Sequence, residues 1–329
     1  MSIEASQETN MTTPKTIHTS ELPSLDEVIG QRGAVERLKV AVSAAKADDR
    51  SLDHFLMSGP GGVGKTTLAQ ITAGAIGGGF RETLSQSLNT NGSLAAMLLD
   101  AGDKDVIFLD EVHLLSDENM TLLYRAMAER KLFIQASRKQ RSLPLAAFTL
   151  LAATTDPHHL PSSFRDRFVE INFDYYSPDE LAALLRQRAD SMAWEAEPAV
   201  FPAIAALGRG VPRLALRLLS ACREVCRSRG ENVMSVEHFD AACELEGLDR
   251  QVGLNRLERQ LLSMLDEVGA AVRVNVLASR LGLSSQTVAM HESYLVRRNL
   301  IMRTDQGRLL TPDGIECVRR MAATSSPTT

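Results

Sequence analysis

Buried-looking apolar runs alternate with helix-period segments along the first half of the chain, and helical periodicity alone follows. Phe55-Leu56-Met57 is a short apolar run of strand type. Val106-Ile107-Phe108-Leu109 and residues 148–153 predict strands buried on both faces of a parallel sheet. Lys131-Leu132-Phe133-Ile134 predicts a further strand. Residues 34–47 carry Leu38, Val42 and Ala45 at helical spacing, and residues 67–75, 93–100 and 117–130 also read as helices. Strands alternating with helices up to about Tyr176 predict an α/β domain with a parallel sheet.

From Ser177 the strand signals stop. Ser177-Pro178-Asp179-Glu180 starts a helix, with Pro at the first helical position. Helices at about 178–192, 197–208, 213–228 and 235–246 predict a small helical domain. An amphipathic helix at 254–268 precedes a helix-turn-helix pattern running from Val274 through Gly282 and Ser284 to Arg298. The segments 300–304 and 308–311 flank Asp305-Gln306-Gly307 as a hairpin, which completes a winged helix. The expected organisation is a disordered polar tail at 1–19, an α/β domain at 20–176, a helical domain at 177–248, a winged helix at 249–320 and a second disordered tail at 321–329.

Composition narrows the class. With 329 residues, 44% hydrophobic and 23% charged, the chain suits a soluble globular protein of two or three domains. No apolar run is long enough to span a bilayer, and the N-terminus has no signal-peptide core, so a cytoplasmic location is expected. Cys222, Cys226, Cys243 and Cys317 show no metal-type pairing; buried reduced thiols are expected. From Arg250 onward there are eleven arginines, no lysine and seven acids, a net of +4 against −9 for the rest. A basic carboxyl-terminal piece on an acidic body suggests contact with nucleic acid.

The chemistry centres on Gly59-Pro60-Gly61-Gly62-Val63-Gly64-Lys65-Thr66-Thr67, a full G-x-x-x-x-G-K-[ST] phosphate-binding loop. Glycines let successive N–H groups point at phosphate oxygens, Lys65 brings charge to the β- and γ-phosphates, and the Thr66 hydroxyl suits Mg²⁺. Asp110 and Glu111 end a buried strand where open α/β sheets bind ligands. Asp110 can reach a metal shell through water, and Glu111 can orient and deprotonate an attacking water. Thr154-Thr155 at the next strand end could sense the γ-phosphate. The glycines at 77–79 lack a following GK[ST] and read as a helix end. Arg138-Lys139-Gln140-Arg141 reads as a basic turn, and Arg165 and Arg167 as a loop pair. Arg213, at a helix N-terminus after Gly210-Val211-Pro212, opposes the helix dipole and is expected to serve an anion.

With these motifs the chain resembles the AAA+ superfamily and, within it, the RuvB family of branch-migration ATPases. The marks are Gly59 to Thr67, Phe108-Leu109-Asp110-Glu111-Val112-His113, residues 148–155 and 164–168, Gly210-Val211-Pro212-Arg213 and the wing. The resemblance implies an AAA+ ATPase domain, a helical lid and a DNA-binding winged helix. Lys65 and Thr66 would hold phosphate and Mg²⁺, Asp110 and Glu111 would serve metal and water, and Thr155 would be the first sensor. Arg167 would be an arginine finger for a neighbouring subunit's ATP, with Arg165 as a second candidate. Tyr176 and Arg213 would be lid contacts to nucleotide, and Arg303 and Arg308 wing contacts to DNA. The family's working form is a hexameric ring around duplex DNA, partnered by RuvA.

The sequence departs from the family pattern in places. Glu21-Leu22 stands where an Arg-Pro pair is usual, Asp156 where Arg is common, and Asp305-Gln306 where the wing usually carries a Pro-Arg type pair. The segment 133–147 is shorter than the family's hairpin, and its expected tip has no apolar side chain, which weakens RuvA-type coupling. The residues leave two other readings open, a nucleotide-dependent DNA-binding switch and a clamp-loader-like AAA+ module. Glu111 disfavours the first, and the wing the second.

Overall fold

The computed structural model describes residues 22–88, 90–136 and 139–324. The expected tail at 1–19, Glu21, Arg138 and the last five residues lie outside the described residues. The chain forms two compact units. One comprises the residues up to Leu184 with Gly208–Leu214, the other Leu185–Leu207 and the residues from Ala215 onward. These divisions match neither 176/177 nor 248/249. One reason is that the loop before Arg213 bonds back to the first unit. The Tyr176 N–H donates to the Gly210 carbonyl at 2.9 Å, and the Arg213 N–H to that of Gly62 at 3.2 Å.

The first unit contains α1 (Arg32–Ala47), β1 (Phe55–Ser58), α2 (Lys65–Ile76), β2 (Phe80–Leu84), α3 (Asn91–Leu99), β3 (Val106–Asp110), α4 (Asp117–Glu129), β4 (Lys131–Ala136), β5 (Lys139–Pro144), β6 (Thr149–Thr154), the short α5 (Ser162–Arg165), β7 (Val169–Asn172) and the start of α6 (Pro178–Ser191). Five strands pair in parallel in the order β2-β3-β6-β1-β7. β1 and β6 are buried at every position and β3 at all but Asp110, as expected of continuous apolar runs. Leu94, Leu98, Ile107, Leu109, Leu123 and Phe148 belong to one core cluster beside the sheet. Gly77 caps α2 in the left-handed region, the helix end expected of the glycine run.

β2, β5 and β7 escape the pattern. β2 has no fully buried residue, so Phe80-Arg81-Glu82-Thr83-Leu84 carries no apolar run; only its pairing with β3 makes it a strand. The expected basic turn at 138–141 is corrected as well. Phe133 pairs with Ser142 and Ile134 with Arg141, so Lys139, Gln140 and Arg141 lie within a strand.

The second unit holds α7 (Val200–Leu207), most of α8 (Pro212–Ser228), α9 (Val236–Leu245) and a two-residue parallel pair, β8 (Glu195–Ala196) with β9 (Val233–Met234), too short to leave a sequence signal. The winged helix follows as α10 (Arg256–Val268), α11 (Val274–Leu281), α12 (Ser285–Arg297), β10 (Ile301–Thr304), β11 (Gly307–Leu310) and α13 (Pro312–Thr324). Asn255 and Glu258 close a capping box at the start of α10. Val272 bridges to Arg308 as a third edge of the wing. A Cβ on Gly307 would lie 2.4 Å from the Val272 carbonyl, so this approach requires glycine. The disorder expected from residue 321 is corrected: α13 continues to Thr324, because Met321 and Cys317, one turn apart, are buried in the winged-helix core. All four cysteines are free and buried. Among the described residues no helix is long and apolar enough to cross a membrane.

Candidate functional site

The phosphate loop links the carboxyl end of β1 to the start of α2. Its backbone needs glycine at three points. Gly59, Gly62 and Gly64 have φ of 151°, 78° and 97°, and a Cβ on Gly59 would sit 2.4 Å from the Phe173 carbonyl oxygen. Gly64 offers no side-chain cap and the first turn of α2 contains no acid, which leaves helix N–H groups for an anion. Lys65 is buried, and its Nζ donates to the carbonyls of Gly59 and Pro60, both at 2.8 Å. Burial lowers its pKa; Glu111 and Asp110 oppose that, and Arg213 adds to it.

Strand order decides the neighbours of this loop. β6 lies between β1 and β3, so Thr155, just past β6, falls between the phosphate loop and the acids ending β3. The Gly59 N–H donates to the Thr154 carbonyl at 3.2 Å. Glu111 stands in the left-handed region at φ 51°, unusual for a residue with a side chain. Its Oε2 accepts from the Thr155 hydroxyl at 2.9 Å and the Thr155 N–H at 3.1 Å. His113 Nδ1 lies 3.3 Å from the same oxygen and 2.9 Å from Thr154 Oγ1. Asp110 Oδ1 accepts from the Glu111 N–H at 3.0 Å. Asp156 pairs with His159 at 2.7 Å, and that contact lowers its pKa.

Tyr176 and Arg213 stand beside the same loop. Tyr176 is buried against Gly30, where a Cβ would lie 2.5 Å from its ring, and its hydroxyl approaches Gly64. Burial, then Glu180, pushes its pKa up to about 12 against a lowering hydrogen bond with Gln31. Arg213 is exposed in the first turn of α8, and a Cβ on Gly62 would meet its own Cβ at 3.0 Å.

Arg167 sits elsewhere. It precedes β7, whose Val169 pairs with Phe55 at the start of β1, so it lies at the amino edge of the sheet while the phosphate loop leaves the carboxyl edge. There it donates to the Tyr124 hydroxyl at 2.7 Å with its guanidinium 4.7 Å from the ring centre. Arg165 is engaged by Glu170, at 2.8 and 3.1 Å.

The wing arginines face each other across β10 and β11. Both reach one carboxylate: Arg303 Nε contacts Glu292 Oε1, and Arg308 Nε contacts Oε2 at 2.9 Å. Glu292 is 1% exposed, whereas the Arg303 side chain is 55% and that of Arg308 22% exposed. A buried carboxylate thus takes up part of the wing's positive charge.

The fold therefore brings Gly59 to Thr67, Asp110, Glu111, Thr155, Tyr176 and Arg213 into one unit, with Arg167 at its other edge. Sequence reasoning assigned no role to His113, Tyr124 or Glu292. The signal available for His113 was its place two residues after Glu111 in Asp110-Glu111-Val112-His113; Tyr124 and Glu292 carried none.

Comparisons with known proteins identify the family of this fold. A family profile described as the Holliday junction DNA helicase RuvB P-loop domain matches residues 22–172, and one described as the RuvB C-terminal winged helix domain matches residues 251–319. The Holliday junction branch migration complex subunit RuvB of Kosmotoga olearia is 34% identical over 91% of this chain and 91% of its own. Its namesake from Paramagnetospirillum magneticum is 37% identical, over 89% of this chain and 86% of its own. The solved structure of the Thermotoga maritima RuvB Holliday junction branch migration motor superposes with a TM-score of 0.79 at 32% identity, covering 92% of this chain and 99% of that one.

Proposed function

The chain belongs to the RuvB family, and we propose that it is an ATP-driven motor that hydrolyses ATP between ring subunits to move Holliday junctions. The observation that carries this reading is the carboxylate of Glu111, fixed by Thr155 at the strand ends next to the phosphate loop. A side chain held there can take a proton from water attacking the γ-phosphate. Lys65 and the N–H groups opening α2 stabilise charge on the phosphoryl oxygens. Thr66 and Asp110 offer the hard oxygens that Mg²⁺ prefers, and Mg²⁺ bound there would neutralise phosphate charge. Tyr176 and Arg213 hold the nucleotide from the lid side.

The position of Arg167 supports a ring. An arginine at the amino edge of the sheet serves ATP held at the carboxyl edge only when a second subunit supplies it. We extend the proposal to a hexamer encircling duplex DNA, with Arg303 on the wing facing phosphates and Arg308 beside it held by Glu292, and to a cytoplasmic setting. Coupling to a RuvA-type junction protein is expected to be weak, because Ser137-Arg138-Lys139-Gln140-Arg141-Ser142 offers no apolar anchor. The deciding experiment measures ATP turnover with and without junction DNA alongside strand exchange on a mobile junction. ATP turnover that never moves the junction would overturn the motor assignment.

A further inference from the structure

Among the described histidines of the first unit, His113 is the one turned toward the carboxylate assigned as base, and its position has a chemical consequence. Glu111 Oε2 already accepts from the Thr155 hydroxyl and N–H, at 2.9 and 3.1 Å. His113 Nδ1 lies 3.3 Å from that oxygen. An unprotonated Nδ1 would set a lone pair against a carboxylate oxygen, which is repulsive; an Nδ1–H is attractive. The second neighbour of Nδ1, Thr154 Oγ1 at 2.9 Å, can accept as readily as it donates, so it imposes no opposite choice. Thr154 is itself fixed: it is fully buried, and its Oγ1 accepts from the Asp156 N–H at 3.0 Å.

We infer that His113 is a positioning residue for the reaction, carrying its hydrogen on Nδ1, where it is hydrogen-bonded to Thr154 Oγ1 and presents its positive end to Glu111 Oε2 3.3 Å away. Two hydrogen bonds from Thr155 then anchor one oxygen of Glu111, and the positive end of the His113 N–H dipole lies 3.3 Å from it. Oε2 is the anchored oxygen, and Oε1 is the one free to accept a proton from water. Anchoring matters here because Glu111 is a single left-handed residue between β3 and the 3-10 turn Val112–Leu114, so neither element fixes where its carboxylate points. The chain Asp156 N–H to Thr154 to His113 to Glu111 ties the base to the loop after β6, the same loop that carries Thr155.

The inference rests on Glu111 being the base, and the test separates the two. ATP turnover of the full-length chain is compared for wild type, Glu111→Gln, His113→Asn and His113→Gln. Asparagine places an amide N–H near the site of Nδ1, while glutamine extends its amide toward the site of Nε2. His113→Asn should keep kcat within about threefold of wild type, and His113→Gln should lower kcat roughly tenfold or more with KM for ATP unchanged. A role in packing alone would favour the longer glutamine, or affect both variants equally. Wild-type kcat in His113→Gln, or an equal loss in both variants, would overturn the inference. Unchanged turnover in Glu111→Gln would instead overturn the assignment of the base on which it stands.

Discussion

The Thr155 hydroxyl donates to Glu111 Oε2 at 2.9 Å, so the residue just past β6 holds the acid just past β3. Glu111→Gln should keep ATP binding and lower turnover by about 10²–10⁴-fold, because an amide cannot take the proton. Thr155→Val removes one of the donors and should lower kcat less, with binding unchanged. Lys65→Ala should lose binding itself. Equilibrium binding of a fluorescent ATP analogue beside turnover checks all three, and wild-type hydrolysis by Glu111→Gln would remove Glu111 from the mechanism.

Gly62 allows the phosphate loop and the start of α8 to meet. An alanine there would adopt φ 78° with its Cβ 2.9 Å from Val211 Cγ1 and 3.0 Å from Arg213 Cβ. The strain and the displaced Arg213 should weaken ATP binding by about tenfold or more. Calorimetric titration reads this directly, and an unchanged Kd would show that the two segments separate when nucleotide binds.

Arg167→Ala should abolish turnover in the assembled protein while leaving the fold intact, since the contact it loses to Tyr124 is exposed and worth about 1 kcal/mol or less. Mixing it with Glu111→Gln subunits should restore part of the activity, because some interfaces then combine an intact Arg167 with an intact Glu111. Arg165→Ala breaks only a solvent-screened surface pair with Glu170 and should leave turnover near wild type. No recovery in mixed rings verified by native mass measurement would count against a finger acting between subunits.

The wing arginines should separate. Arg303, 55% exposed, can reach a phosphate past Glu292, so Arg303→Ala should lower the salt slope of DNA binding by about one unit. Arg308 is 22% exposed and holds the other oxygen of a buried carboxylate. Its removal should destabilise the winged helix by about 1–3 kcal/mol. Salt titrations and thermal melts distinguish these effects; equal slopes and equal melting temperatures for the two variants would contradict the division.

His54 links stability to pH. Burial, then the charge of Arg130, lowers its pKa from 6.5 to about 4, and its Nδ1 accepts the Leu150 N–H at 2.9 Å. Below 6.5 the unfolded chain binds a proton that the folded chain refuses until about pH 4. Stability should therefore fall as pH drops through this window, by a slope of about one proton. Denaturant midpoints measured for wild type and His54→Asn across the window test this, and identical slopes would assign the proton elsewhere.

The sequence by itself determined the chemistry that is local in the chain. The run Gly59 to Thr67 could be read because its glycine backbone, lysine and threonine act within one turn of loop and helix. The strands β1, β3 and β6 could be read because burial on both faces demands unbroken apolar runs, and the winged helix because its turn residues and periodicities lie close together. Only tertiary structure decided the rest. β2 is an edge strand without an apolar signature, and Lys139 to Arg141 pair across a hairpin that their polarity disguised. Strand order, which periodicity does not encode, set Thr155 beside Glu111 across 44 positions and put Arg167 at the opposite edge of the sheet. The engagement of Arg303 and Arg308 by Glu292 depends on a helix and a hairpin folding onto each other. A residue's charge is written in the sequence, but the groups that share that charge are assembled only by the fold.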